Sequence, residues 1–136
     1  MTFANVQKQR GSTLIEEGKE GIFNGDPGGG KHNGKPYSHI LQDGKLNLYH
    51  AIRDDVLEYF KQNDISWWRG GYPTGNTVSS QIACLNHLFP IRDQKDAVLK
   101  LLATVSDDFV NVLPISEHLE GYIQFEAVGG DTNFLN

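Results

Sequence analysis

Val78-Ser79-Ser80-Gln81-Ile82-Ala83-Cys84-Leu85-Asn86-His87-Leu88-Phe89 is the stretch whose reading decides the fold. At about 100° per residue, Val78, Ile82, Leu85 and Phe89 fall in one narrow sector of a helix. Thr77 stands where an N-cap is wanted, and Pro90 disfavours helical backbone at Phe89. The spacing therefore predicts an amphipathic helix over residues 78–89. Ser79 and Asn86 lie on one flank of its apolar stripe and Gln81 on the other.

Two similar patterns bracket this segment. Leu48, Ile52, Val56 and Phe60 recur every four residues, which predicts a helix over 48–62 capped by Asn47. Between it and residue 78, the stretch 65–76 carries Trp67, Trp68, Arg69, three glycines and Pro73, and reads as a loop. Residues 94–105 predict a further helix, with Asp93 as cap and Val98, Leu101, Leu102 and Val105 as its buried face. A short helix is expected over 13–20, where Gly18 limits its length.

The period changes towards the C-terminus. Residues 109–115 are β-branched and aromatic apart from Asn111 and Pro114. Residues 121–128 alternate, with Tyr122, Gln124, Glu126 and Val128 on one face and Ile123, Phe125 and Ala127 on the other. Two strands are therefore expected after the helices, and Gly129-Gly130-Asp131 reads as the closing turn. The order implies an α/β domain spanning residues 1–136 as one unit. Its sheet is incomplete, because two strands rarely make a stable sheet alone. Such an edge favours a homo-oligomer or a missing C-terminal half.

Composition narrows the class. The chain has 136 residues and a net charge of −5, with a pI near 5.4. That balance argues against a broad basic surface for nucleic acid and leaves room for a local one. A single cysteine, Cys84, allows no internal disulfide and is expected to be buried as packing. No apolar run approaches the roughly 20 residues of a membrane helix, and no cationic leader precedes an apolar segment. A cytoplasmic location is expected.

Several motifs carry less than they suggest. Residues 24–36 form a glycine-rich loop in which Gly25-Asp26-Pro27-Gly28-Gly29-Gly30-Lys31-His32 matches G-x-x-x-x-G-K. His32 replaces the hydroxyl residue that would ligate magnesium, and Asn33-Gly34-Lys35-Pro36 cannot start the helix that receives phosphates. A flexible loop is the expected state. Glu17-Gly18-Lys19 spells E-x-K but follows no acidic strand. His32, His39, His50, His87 and His118 show no zinc spacing. Ser80 and His87 share a helix face but stand about 10 Å apart along the axis, too far for a catalytic dyad.

The flanking polar residues allow two roles. Ser79, Gln81 and Asn86 suit phosphate oxygens or base edges, although side chains of this kind more often bond the backbone. Adjacent tryptophans point different ways. One of Trp67 and Trp68 should pack on the core, and the other, with Arg69, could stack on a base. Glu126 is either a solvent-facing strand carboxylate or an acid lining a metal or phosphate cleft.

Taken together, four segments resemble a restriction-endonuclease-like branch of the PD-(D/E)XK nuclease superfamily. They are Ile65-Ser66-Trp67-Trp68, Pro73-Thr74-Gly75, Ser79 to Phe89, and Tyr122-Ile123-Gln124-Phe125-Glu126, and residues 47–60 look similar as well. The resemblance implies a mixed sheet flanked by helices, DNA as partner and magnesium as cofactor. It matches Ser79, Ser80, Gln81 and Asn86 to a helix motif and makes Glu126 a candidate catalytic residue, while Trp68 and Arg69 remain nucleic-acid candidates from their chemistry alone. The family's metal-binding aspartate and E-x-K have no counterpart, so DNA cleavage is not expected of this chain alone. The alternative expectation is a non-catalytic module that binds nucleic acid or protein.

Overall fold

The computed structural model describes residues 1–18, 22–68, 70–115 and 121–125. Among them are four α-helices and one small antiparallel sheet, a mixed α/β architecture. The helices are α1 (Phe3–Glu16), α2 (Arg53–Gln62), α3 (Ser80–Leu88) and α4 (Lys95–Ala103). The strands are β1 (Lys31–His32) and β2 (Lys35–Pro36). The chain divides into two compact units, Met1–His87 and Leu88–Asn136. No helix among the described residues is long and apolar enough to cross a membrane.

The first unit is built around the stripe of Leu48, Ile52, Val56 and Phe60, all buried as their spacing predicts. Burying side chains of this size contributes about 1.5–3 kcal/mol each. The helix itself starts later than the stripe does. Leu48 is extended, at φ −80° and ψ 137°, and follows a 3₁₀ turn at Gly44–Asn47 capped by Asp43. Asn47 does not cap α2, because its Nδ2 donates to the carbonyls of Thr74 and Asn76, each at 2.9 Å. No side chain caps α2; Asp54 and Asp55 in its first turn favour the helix dipole instead.

Helix α1 begins ten residues before the short helix expected over 13–20. Thr2 caps it by accepting from the Asn5 N–H at 3.3 Å. Its sequence gives little apolar periodicity, and only Gly11 and Ile15 are buried. Gly11 lets α1 approach Thr77, where a Cβ would run into the Thr77 hydroxyl. Thr77 does not cap α3 either. Its hydroxyl donates to the His39 carbonyl at 2.9 Å, and Ser79 accepts from the Ile82 N–H at 3.4 Å in its place.

The glycine-rich segment 24–36 carries the β1–β2 hairpin and a set of hydrogen bonds to the chain that follows. Asn33 and Gly34 both have positive φ, 50° and 78°, which closes the β1–β2 hairpin with the right-handed twist its strands need. Before the hairpin, the buried Asp26 carboxylate accepts three backbone N–H groups. Gly28 and Gln42 donate to Oδ1 at 2.8 and 3.0 Å, and Asp43 donates to Oδ2 at 2.9 Å. The Gly30 N–H donates to the Ile40 carbonyl at 2.8 Å. The amides of Gly28 and Gly30 are thus spent inside the chain, that of Gly28 on the Asp26 carboxylate and that of Gly30 on the Ile40 carbonyl.

In the second unit, Phe89, Val98, Val112 and Phe125 are buried. Phe125 lies 5.5 Å from Phe89 between ring centroids. Two expectations fail here. Residues 109–115 form no strand; among the described residues none pairs with them as a ladder, and Pro114 has no N–H to give one. Residues 121–125 form none either, with Gly121 at φ 111° and the Tyr122 N–H donating to the Arg92 carbonyl at 2.7 Å. Residues 126–128 lie outside the described residues. Of the face expected over 94–105 only Val98 is buried, while Leu101 is 42% exposed and Val105, past the end of α4, is 79% exposed. Asp93 pairs with Arg92 at 3.4 Å and leaves α4 without a side-chain cap.

Candidate nucleic-acid interface

The two tryptophans separate as expected of neighbours in a tight turn. Trp67 is buried and stacks on Phe60 of α2, with centroids 3.9 Å apart and planes 17° from parallel. The Gly70 N–H donates to the Trp67 carbonyl at 3.1 Å and closes the turn. Trp68, at its tip, is 68% exposed. Its backbone N–H donates to Gln81 Oε1 at 3.1 Å, so α3 holds the position from which the indole projects. An exposed indole on an anchored backbone is a stacking surface with little ordering cost left to meet.

The other helix residues are placed differently. Ser79 is occupied with the start of α3, and Ser80 is exposed at its first position. Asn86 faces the 47–49 segment. Its Oδ1 accepts from the Tyr49 N–H at 2.8 Å and its Nδ2 donates to the Asn47 carbonyl at 2.9 Å. Of the six residues of the sequence-level interface, Trp68 and Gln81 are brought into direct contact, whereas Asn86 belongs to a separate backbone clasp. Arg69 and Glu126 lie outside the described residues. Cys84 is exposed, contrary to its expected packing role, because it falls on the face of α3 opposite Ile82 and Leu85.

The structure adds polar groups that sequence reasoning passed over. Burial raises the Asp26 pKa, but the N–H donors of Asp43, Gln42 and Gly28 outweigh it and hold the group below its ordinary value. Asp43 Oδ1 accepts from the Lys45 N–H at 2.9 Å and from the Tyr72 hydroxyl at 3.0 Å. Burial and that carboxylate raise the Tyr72 pKa. His39 is buried, and burial followed by the charge of Lys8 lowers its pKa. The Asp-Pro-Gly order at residues 26–28 was the available signal for Asp26, since aspartate commonly accepts from the N–H two residues on. Asn47 had no comparable signal, because both its acceptors are more than 25 positions away.

Magnesium, implied by the resemblance, finds no fit among the described residues: no group of three His, Cys, Asp or Glu side chains could hold a metal ion. No curated protein and no solved structure matches the chain. A family model does, over residues 7–134, nearly the whole chain. The chain belongs to the family described as restriction endonuclease associating with ARP.

Proposed function

We propose that this chain is the DNA-engaging part of a restriction-endonuclease-like system that acts together with the ARP protein of its family's description. Family membership over residues 7–134 is the observation that carries the reading. The exposed Trp68, anchored through Gln81, supports it by offering a surface on which a base can stack. In the finer form of the proposal, the system cleaves DNA phosphodiester bonds with magnesium in the cytoplasm. The PD-(D/E)XK aspartate and E-x-K pair come from outside this chain, which contributes Glu126 as a candidate catalytic residue. The described residues themselves provide no ligand cluster for the metal.

The test is reconstitution. The purified chain is incubated with plasmid DNA and magnesium, alone and after co-expression with the ARP protein. The expected result is co-purification with ARP, magnesium-dependent cleavage by the complex, and none by the chain alone. Cleavage by the chain alone that disappears in Glu126→Ala would overturn the division of labour. Failure both to bind DNA and to co-purify with ARP would overturn the proposal as a whole.

A further inference from the structure

Charge is segregated along the first unit. Residues 1–15 and 27–42 hold Lys8, Arg10, Lys31 and Lys35, and all 17 Asp and Glu residues of the chain lie outside them. The fold brings these two segments together. Ser12 of α1 and Ser38 share a hydrogen bond of 2.8 Å between their hydroxyls. A Cβ at Gly11 would stand 3.5 Å from the His39 Cβ, and one at Gly28 would stand 2.9 Å from Ile15. Helix α1 and the chain around the β1–β2 hairpin thus make a surface with no carboxylate of its own, on a protein of net charge −5.

Lys8, Lys31 and Lys35 are exposed on it. Among the described residues none of the three has a carboxylate partner; the ion pair found there joins Arg92 to Asp93. The register of the hairpin sets where two of them project. Lys31 pairs with Pro36 and His32 with Lys35, and neighbours along a strand face opposite sides. Lys35 therefore shares a side with His32, and Lys31 takes the other. A run of rings leads from the His32 side towards α1. His32 and Tyr37 lie 6.3 Å apart between centroids, Tyr37 and His39 5.6 Å, and the charge of Lys8 reaches His39. The hairpin rises from a fixed base. The Tyr37 N–H donates to the Gly30 carbonyl at 3.0 Å, and a Cβ at Gly30 would run into the Leu41 carbonyl.

We propose that the β1–β2 hairpin seats in a groove of duplex DNA, with Lys31 and Lys35 reaching phosphates on the two groove walls and Lys8 a further phosphate on the Lys35 side. The inference rests on the DNA-engaging reading above and adds to it the element that meets the duplex. A two-stranded ribbon fits the major groove. Lysines on opposite sides of such a ribbon face opposite walls, and each wall is a row of phosphates. An acidic protein suits the hairpin less well. The core of a protein interface is built on aromatic and apolar anchors, whereas residues 31–36 offer Lys, His, Asn, Gly, Lys and Pro. Contacts of this kind position the chain on DNA without reading sequence. With about three phosphates engaged, log K should fall with log salt at a slope of about −2.7.

The test follows the fluorescence anisotropy of a labelled random-sequence duplex of about 20 base pairs across a salt series, with the full chain alone and after co-expression with the ARP protein. Lys8→Ala, Lys31→Ala and Lys35→Ala should each weaken binding about threefold or more and bring the slope about 0.9 closer to zero. Lys31→Arg and Lys35→Arg should keep both affinity and slope, and Lys95→Ala on α4 should change neither. Thermal midpoints should match wild type throughout, because the three side chains are exposed and unpaired, so lost binding is not lost folding. Duplex binding indifferent to all three alanine substitutions would overturn the hairpin assignment and leave the DNA-engaging reading standing. Polyglutamate bound as tightly as the duplex, and through the same lysines, would give the surface to an acidic protein and overturn the groove. No duplex binding in either sample would overturn both the hairpin and the DNA-engaging reading.

Discussion

Asn86 stands in for a strand neighbour of Asn47: its amide donates to the Asn47 carbonyl at 2.9 Å while its oxygen accepts from the Tyr49 N–H at 2.8 Å. One side chain thereby satisfies two backbone groups on either side of Leu48, the extended residue that ends the 3₁₀ turn ahead of α2. Asn47 repeats the device, donating to the carbonyls of Thr74 and Asn76. Two asparagines therefore tie α3 and the 74–76 loop to the entry of α2, without a regular sheet.

Asn86→Ala should consequently destabilise the protein by about 1–2 kcal/mol, since it leaves one donor and one acceptor to partial solvation. Asn86→Asp should cost at least as much, because a carboxylate oxygen would replace the amide that faces the Asn47 carbonyl. The measurement is the urea midpoint at neutral pH, with Ser80→Ala as an exposed control expected to stay within about 0.5 kcal/mol. An Asn86→Ala midpoint equal to wild type would show that water replaces the clasp at no cost.

Asp26 makes stability depend on pH in a defined direction. Its folded pKa lies below its ordinary value of 3.8, because three N–H groups prefer the charged carboxylate strongly enough to outweigh burial. A carboxylate depressed on folding contributes stability that is fully present above the unfolded pKa and is lost as pH falls through the folded one. Asp26→Asn should cost about 1–3 kcal/mol near neutrality, since the amide would turn a donor towards at least one of those N–H groups. The gap in thermal midpoint between wild type and Asp26→Asn should then narrow below about pH 4. A gap that widens on acidification would show that Asp26 is not held as the anion.

The sequence carried the apolar faces better than the backbone that displays them. Leu48, Ile52, Val56 and Phe60 are buried as their spacing required, yet a helix holds only part of that stripe, because period-four burial continues through the turn that precedes α2. The start of α1 was illegible for the opposite reason. It buries little apolar surface and depends on the Thr2 cap and the close approach at Gly11. The β-branched and aromatic run at residues 109–115 and the alternation at 121–128 suggested strands, but a strand requires a partner ladder that no local pattern encodes. At the candidate interface, the choice of exposed tryptophan depended on whether Trp67 or Trp68 met Phe60, a contact set by the loop between distant elements. The Asp26 nest was half legible: the Asx turn to Gly28 is local, whereas the donors at Gln42 and Asp43 are not.

The contrast between the tryptophans gives the last prediction. Trp67 is buried against Phe60, so Trp67→Ala would open a cavity and remove the stack, at a cost of about 3–5 kcal/mol. Trp67→Phe keeps a ring against Phe60 and should cost less than half of that. Trp68 has lost little water on folding, and its anchor to Gln81 runs through the backbone N–H, which Trp68→Ala retains. Trp68→Ala should therefore stay within about 0.5 kcal/mol of wild type. The fluorescence of the single-tryptophan variants separates the two environments. Trp67→Phe should leave an indole that emits at long wavelength and is quenched readily by acrylamide. Trp68→Ala should leave one that emits at shorter wavelength and resists quenching. Equal quenching in the two variants would mean that the 67–70 turn does not hold the indoles on opposite sides of the solvent boundary. The surface offered to a base would then not be preformed.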